Sequence, residues 1–374
     1  MEVLSNIFFE EPDGEIYYDI LNSQGKEWLI GSKDIRTAFE IYQPTAIKGK
    51  ILKSFFPCVY RLPFIYLMLH IKRQRLRLEP ELEGILKRTF GNDVSISCFG
   101  GTPCVHQKAV IQIYKDSKIL GYCKVTNSLE VGCLFDKECE DLNYLHKRGV
   151  DSIPKVLFRC DLNGLKLFCQ SSVKDRNGQT VDRITEKHWL FLENVYKKTA
   201  TVMKFEETDY YALLKSVRKK CGSFEKSNLE IIRRACELIS EKYNNTIVEF
   251  GFYHGDFTPW NTVLENGKIK VFDFEYAKRT YPPYLDAVHY LLQKNFFVDG
   301  LSDVNQIYSS YKESSIWKKF GNKRTLEMMI MYLLEIINLY LSRTSEESLD
   351  EQNRQKIRIG ILEKTVTEYA NLSR

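Results

Sequence analysis

The chain has no apolar run long enough to cross a bilayer. Its two most apolar stretches, near Phe55 to Ile71 and Met328 to Leu341, are broken by Arg61, Pro63 and His70 and by Glu335 and Asn338. Both fall short of the roughly 20 consecutive apolar residues that a span needs. Proline is sparse, 10 residues in 374, and no tract is rich in proline, glycine or serine, which excludes wholesale disorder. Histidine is scarcer still, at 6. The 10 cysteines, scattered from Cys58 to Cys236, form no CxxC pair and share no metal-ligand spacing with a histidine. That excludes a sequence-evident zinc site and leaves them as reduced core residues. The opening MEVLSNIFFEEPDGE is acidic where a secretory signal needs a basic region before an apolar one, so the expectation is a cytoplasmic protein. No internal repeat of fixed period is present. The excess of one charge is small, +5, and fits a phosphate-binding cleft as well as it fits nucleic acid or an anionic membrane.

What is present suits a folded body of more than one part: 44% hydrophobic and 13% aromatic residues over a length that favours two lobes with an appendage. Residues 1–80 read as an N-terminal extension, with EIYYDI and KEWLIG able to pair, a helical region from Asp34 and a basic amphipathic end. Residues 81–173 read as a small lobe. Val94 to Phe99, Ala109 to Tyr114 and Ile119 to Val125 form an antiparallel meander, a helix runs from Leu134 to Arg148, and Lys155 to Cys160 pairs with Leu165 to Gln170 across Asn163-Gly164. Residues 174–374 are mostly helical, as the spacing in EKHWLFLENVY and LEIIRRACELI shows, interrupted by a hairpin at Asn266-Gly267. The fold class is therefore α+β.

The chemistry concentrates in Tyr253-His254-Gly255-Asp256-Phe257-Thr258-Pro259-Trp260-Asn261 and in Val271-Phe272-Asp273-Phe274-Glu275. A two-residue turn at Asn266-Gly267 sets Glu265 opposite Lys268, Leu264 opposite Ile269, Thr262 opposite Val271 and Asn261 opposite Phe272. Asn261 and Asp273 then meet at one end of the hairpin, on one side only if the ladder frays or bulges there. An amide oxygen and a carboxylate are suitable ligands for Mg²⁺, which completes its shell with waters and substrate phosphates. Asp256, just upstream, can accept a proton from an attacking hydroxyl or orient it. Singly, each of these residues is as well explained as a turn or cap; the ordered set is not.

The set resembles the aminoglycoside phosphotransferase and choline kinase family, whose catalytic loop reads His-x-Asp-x-x-x-x-Asn followed by a metal-binding Asp on the next strand. The resemblance implies a two-lobed protein-kinase-like fold and ATP- and Mg²⁺-dependent transfer to a hydroxyl. It implies Asp256 as catalytic base, Asn261 and Asp273 as metal ligands, His254 as a brace and Asp286 as a supporting residue. Trp260 departs from the family, where a small residue commonly precedes the loop Asn.

With a kinase in view, Lys124 on the third strand is the candidate for the α- and β-phosphates. Phe135, Glu138, Leu142 and Leu145 share one helix face, which selects Glu138 over Glu140 as its partner, with Asp141 left open. Gly100, Gly101 and Thr102 can approach phosphates through backbone N–H groups, and the backbone of Gln170 and Ser171, where the lobes should join, is the candidate for adenine contact. His188, Trp189 and the cysteines read as core.

For the acceptor, Trp260, Tyr281 and Tyr284 suggest stacking on the ring of a sugar or glycan precursor; choline or ethanolamine is the alternative, and the local Lys278 and Arg279 disfavour an aminoglycoside. A peripheral membrane contact through residues 55–78 is a further expectation. The competing readings are a catalytically silent nucleotide-binding module and a protein kinase, the latter opposed by the lack of Ala-Pro-Glu after Asp273 and by His-Gly-Asp in place of His-Arg-Asp. No nucleic-acid recognition motif accompanies the basic residues, so no nucleic-acid partner is expected.

Overall fold

The structure, a computed structural model, describes residues 2–44, 47–62, 64, 69, 71–102, 107–174, 178–220, 226–341 and 349–372. The chain forms two compact units, Met1–Tyr144 with Ile153–Gly178, and Leu145–Ser152 with Gln179–Arg374.

The first unit is built on one antiparallel sheet. Its strands are β1 (Phe8–Leu21), β2 (Glu27–Gly31), β3 (Lys72–Leu78), β4 (Ser95–Phe99), β5 (Ala109–Lys115), β6 (Lys118–Thr126), β7 (Val156–Leu162) and β8 (Leu165–Ser171), in spatial order β3-β1-β2-β4-β5-β6-β8-β7. The predicted meander and the β7–β8 hairpin are present. Both tight turns use left-handed backbone at two successive residues, Asp116 and Ser117 (φ 48° and 65°) and Asn163 and Gly164 (φ 48° and 82°). That conformation matches the twist of the strands it joins. The first eighty residues continue the same sheet: β1 pairs with β2 and β3, and β2 pairs with β4 through Trp28 opposite Phe99 and Leu29 opposite Cys98.

The basic stretch is a correction. Lys72, Arg73, Arg75 and Arg77 lie on a strand, where the sequence reading has the end of an amphipathic helix. Their period is two, not 3.6: Leu76 and Leu78 are buried while Arg75 and Arg77 alternate outward, Arg77 pairing with Glu11 and Glu83. A helix at Pro80–Phe90 follows, with Pro at its first position and the Glu79 carboxylate accepting from the Leu82 N–H at 2.6 Å. Its Leu82 and Leu86 pack with Cys98, Ile111, Ile113, Cys123 and Cys169 in one apolar cluster. Burial pushes the Cys98 and Cys169 thiols far above the usual thiol range, which makes them packing groups rather than nucleophiles.

The second unit holds a sheet of β9 (Thr201–Lys204), β10 (Ile247–Tyr253) and β13 (Lys278–Tyr281) in the order β13-β10-β9, the hairpin β11 (Thr262–Glu265) and β12 (Lys268–Val271), and a set of helices. The helix Ser315–Leu341, kinked at Gly321 (φ 71°), is apolar on every side from Met328 to Leu334, and all seven of those residues are buried. It is a core helix. Among the described residues no helix is long and apolar enough to cross a membrane.

Candidate active site

The hairpin sets the register of the site. Asn266 and Gly267 take φ of 49° and 72°, and β11 pairs with β12 as Thr262 with Val271, Val263 with Lys270, Leu264 with Ile269 and Glu265 with Lys268. One step further out, the Phe272 N–H donates to the Asn261 carbonyl at 3.2 Å. Asp273 then leaves the ladder in left-handed conformation, φ 70°, which aspartate enters more readily than most side-chain-bearing residues. This is the irregularity needed for Asp273 to escape the opposite face of the strand.

The loop before β11 is held from several sides. The Asp256 N–H donates to His254 Nδ1 at 3.1 Å, so that nitrogen carries a lone pair and the proton sits on Nε2, which donates to the Phe272 carbonyl at 3.2 Å. His254 thus ties the loop to the residue preceding Asp273. The carboxylate of Asp286 accepts from the His254 N–H at 2.9 Å and the Gly255 N–H at 3.1 Å. Gly255 has φ 83°, and a Cβ there would lie 2.5 Å from the Tyr276 carbonyl oxygen, so only glycine fits. The turn closes as the Asn261 N–H donates to Thr258 Oγ1 at 3.2 Å and Thr262 Oγ1 donates to the Thr258 carbonyl at 2.9 Å. Trp260 is accommodated because its ring points outward, 42% exposed and edge-on to Phe297.

Asn261 Nδ2 donates both to the Asp256 carbonyl at 3.1 Å and to Asp256 Oδ2 at 2.7 Å. A carbonyl can only accept, so the amide orientation is fixed and Oδ1 faces away from the loop. Asp273 and Glu275 add negative charge close enough to raise the Asp256 carboxyl. An amide oxygen, two carboxylates and accumulated negative charge fit a hard divalent cation that keeps waters and phosphate oxygens in its shell.

Two carboxyls in this site lie above the ordinary range. Burial pushes Asp256 up, opposed by a hydrogen bond from His289, and its side chain retains 27% exposure. Asp286 is pushed up to about 7, by burial first, with the His254 and Gly255 N–H groups pulling it back.

His289 escaped the sequence reading. Its Nε2 lies 3.2 Å from Asp256 Oδ1 and its Nδ1 3.0 Å from the Tyr332 hydroxyl. The available signal was a polar stripe: Asp286, His289 and Gln293 lie at i, i+3 and i+7 on the helix Leu285–Phe297, and all three are buried.

In the first unit, Lys124 Nζ lies 2.6 Å from Glu138 Oε2, with side chains 7% and 0% exposed. The helix Leu129–Lys147 buries Phe135, Glu138, Leu142 and Leu145 and exposes Glu140, while Asp141 pairs with Lys137. Two of the backbone N–H groups assigned to nucleotide contact are engaged within the sheet. The Gly100 N–H donates to the Glu27 carbonyl at 2.8 Å, so it extends the sheet and is not free for a phosphate. Gly101 (φ 85°) and exposed Thr102 remain, leading into residues 103–106, outside the described set. Gln170 and Ser171 lie inside β8, and the Ser171 N–H donates to the Lys155 carbonyl at 2.8 Å, so that one amide of the backbone assigned to adenine is already engaged.

Of the three aromatics assigned to a sugar ring, Tyr281 is 2% exposed, stacks on Tyr253 and donates to Glu335 at 2.7 Å. It is core. Tyr284 packs with Trp189, Tyr196 and Phe320. Tyr284 is half-buried, and Trp260 is the most exposed of the three. His188 and Trp189 are core, as expected. A cavity of about 570 Å³ in the first unit, bordered by Glu11, Arg77, Glu83 and Lys87, contains none of the candidate residues, and those four charges pair among themselves.

No protein-family model matches the chain, and no curated protein matches it. Among solved structures it is similar to a thermostable mutant of an aminoglycoside phosphotransferase in ternary complex with AMP-PNP and hygromycin B. That match has TM-score 0.50 and 13% identity and covers 77% of this chain and 98% of that one. It is also similar to a choline kinase from Cryptosporidium parvum (TM-score 0.48, 11% identity, 79% and 97% covered). A gentamicin complex of another aminoglycoside phosphotransferase gives TM-score 0.44 at 14% identity, with 77% and 99% covered. At these identities the likeness establishes a fold, the protein-kinase-like fold, and leaves the substrate open.

Proposed function

We propose that the chain is an ATP- and Mg²⁺-dependent phosphotransferase acting on a hydroxyl of a small molecule, in particular of a sugar or glycan precursor. The observation that carries this reading is the Asp256 carboxylate, held by Asn261 and His289 within a loop that His254 and Asp286 brace. Such a carboxylate keeps lone pairs for an incoming hydroxyl. As the acceptor oxygen bonds to the γ-phosphorus, its O–H bond breaks towards Asp256, the bond from phosphorus to the β,γ-bridging oxygen breaks, and ADP leaves. Asn261 through Oδ1 and Asp273 would hold Mg²⁺, which when bound neutralises charge on the β- and γ-phosphates. Lys124, oriented by Glu138, serves the α- and β-phosphates, with Gly101 and Thr102 as the remaining candidates for backbone contact. Trp260 with neighbouring Phe297 favours a ring-bearing acceptor, since both rings are solvent-exposed and apolar.

The test is ADP release by the purified chain with Mg·ATP over sugars, lipid-linked glycans, amino alcohols and aminoglycosides. The reading expects a phosphorylated sugar or glycan, detected by mass. Turnover of choline without sugar turnover would replace the acceptor; no binding of Mg·AMP-PNP would end the kinase reading.

A second observation supports peripheral membrane contact. On the helix Ile47–Val59, Ile47, Ile51 and Phe55 form one exposed face at i, i+4 and i+8, flanked by exposed Lys48 and Lys50 and followed by exposed Arg61. Apolar rings and branched side chains between lysines suit an anionic lipid surface. Within the original 55–78 assignment, residues 63, 65–68 and 70 lie outside the described set, and the 72–78 part is strand. Sedimentation with vesicles containing phosphatidylserine should show salt-sensitive binding that Ile51→Glu with Phe55→Glu removes. Binding unchanged by that pair would place the contact elsewhere.

A further inference from the structure

We propose that His289 is the positioning residue of the catalytic carboxylate, and that Tyr332 sets the ring tautomer that lets it act. The proposal rests on the kinase reading above. Its basis is a continuous buried chain, Tyr332 hydroxyl to His289 Nδ1 at 3.0 Å and His289 Nε2 to Asp256 Oδ1 at 3.2 Å, with His289 2% and Tyr332 0% exposed.

The direction of each hydrogen bond follows from what the groups can do. An ionised carboxylate only accepts, so the imidazole proton facing Asp256 must be on Nε2. In the neutral ring Nδ1 then carries a lone pair, and the Tyr332 hydroxyl is its donor. Burial, first, keeps that phenol protonated, far above its ordinary range. Without the hydroxyl the ring could carry its proton on Nδ1 and turn a lone pair towards the carboxylate, a repulsive arrangement.

The consequence lies at Asp256. Asn261 Nδ2 takes one lone pair on Oδ2 and His289 Nε2–H takes one on Oδ1, so the carboxylate plane is fixed from two directions. Of about four lone-pair sites on a carboxylate, two remain for the acceptor hydroxyl. Asn261 alone would leave the group free to swing about one hydrogen bond, and a displacement of about 1 Å at the reacting atoms costs on the order of a hundredfold in rate. The helix Leu285–Phe297 supplies both supports of the loop, Asp286 to its backbone and His289 to its carboxylate, from successive turns of one buried face. His289 transfers no proton itself; it acts through Asp256.

The experiment compares wild type, His289→Ala, His289→Gln and Tyr332→Phe as full-length chains. For each it measures kcat and KM for Mg·ATP from ADP release, with water as acceptor until a better one is known, alongside Mg·AMP-PNP affinity by calorimetry and the thermal midpoint. We expect His289→Ala to lower kcat about a hundredfold with AMP-PNP affinity within about threefold. Glutamine can present an N–H near the same carboxylate oxygen, so His289→Gln should recover about tenfold of that loss. Tyr332→Phe should fall between. A merely structural histidine would lower the thermal midpoint without splitting kcat from affinity and without rescue by Gln. The proposal is overturned if His289→Ala keeps wild-type kcat, or if Gln is as slow as Ala while equally folded. Should His289→Ala fail to fold, the Gln and Tyr332→Phe variants decide by the same split. Wild type that neither binds Mg·AMP-PNP nor releases ADP overturns the kinase reading itself, a result distinct from an active wild type indifferent to His289.

Discussion

On the proposed function Asp256 and Asp273, seventeen positions apart in sequence, would do different work, and substitution can separate them. Asp273→Ala would remove the proposed oxygen ligand, which acts before any chemistry, so Mg²⁺-dependent AMP-PNP affinity should fall tenfold or more, roughly 1.4 kcal/mol. Asp256→Asn should leave that affinity within a few-fold. Equal losses in a calorimetric titration would contradict this division. A second pair separates stability from binding. Lys124 and Glu138 are both almost wholly buried, so Glu138→Leu removes the carboxylate 2.6 Å from the Lys124 ammonium and should cost about 3–5 kcal/mol in denaturant unfolding. The double variant Lys124→Met with Glu138→Leu should recover most of that stability and none of the nucleotide affinity. Recovery of both would make the pair purely structural.

At the scale of elements, the hairpin was legible because a two-residue turn fixes pairing by counting: the three predicted pairs inside β11 and β12 are found, and the fourth, Asn261 opposite Phe272, is present one step beyond as the Phe272 N–H donating to the Asn261 carbonyl. The escape of Asp273 was not legible, since a single left-handed residue carries no pattern. The buried stripe of Asp286, His289 and Gln293 was half legible: its first member drew notice by resemblance, whereas the i, i+3, i+7 spacing of the other two marks a shared helix face without saying what that face meets. Strand β3 was misread because four basic residues within six positions look like a solvated helix end until the alternation with Leu76 and Leu78 is counted. The helix Glu186–Thr199 gives a pH prediction. His188 Nδ1 accepts from the Thr185 N–H at 3.1 Å, and burial lowers its pKa to about 4, from an unfolded value near 6.5. A depressed histidine contributes stability that is complete above the unfolded value and is lost as pH falls towards the folded one. Unfolding free energy should therefore drop by roughly 2–3 kcal/mol between pH 7 and pH 4 on this account alone. His188→Phe should flatten that part of the profile in denaturant titrations, and an unchanged slope would show that the ring titrates normally.

For the whole molecule, the first unit's strand order was only partly readable: the five strands after residue 90 came from alternation and turns, whereas their union with the first three depends on the non-local pairing of Trp28 with Phe99 and Leu29 with Cys98. Long-range pairing of that kind leaves no local trace. The candidate site divides in the same way: a compact loop and hairpin supplied His254, Asp256, Asn261 and Asp273, while the distant supports, His289 and Tyr332, became visible only once the chain was folded. The account depends most on Asp256 as the group that receives the acceptor's proton. Asparagine there turns its oxygen to His289 and sets its NH₂ against Asn261 Nδ2, so Asp256→Ala is the necessary companion. The most direct measurement is single-turnover ADP formation from Mg·ATP by wild type, Asp256→Asn and Asp256→Ala, at concentrations saturating by AMP-PNP titration. The account predicts Mg²⁺-dependent ADP formation in wild type and a loss of about a thousandfold or more in both variants, with the nucleotide still bound; ADP formation at the wild-type rate in either folded variant would contradict it.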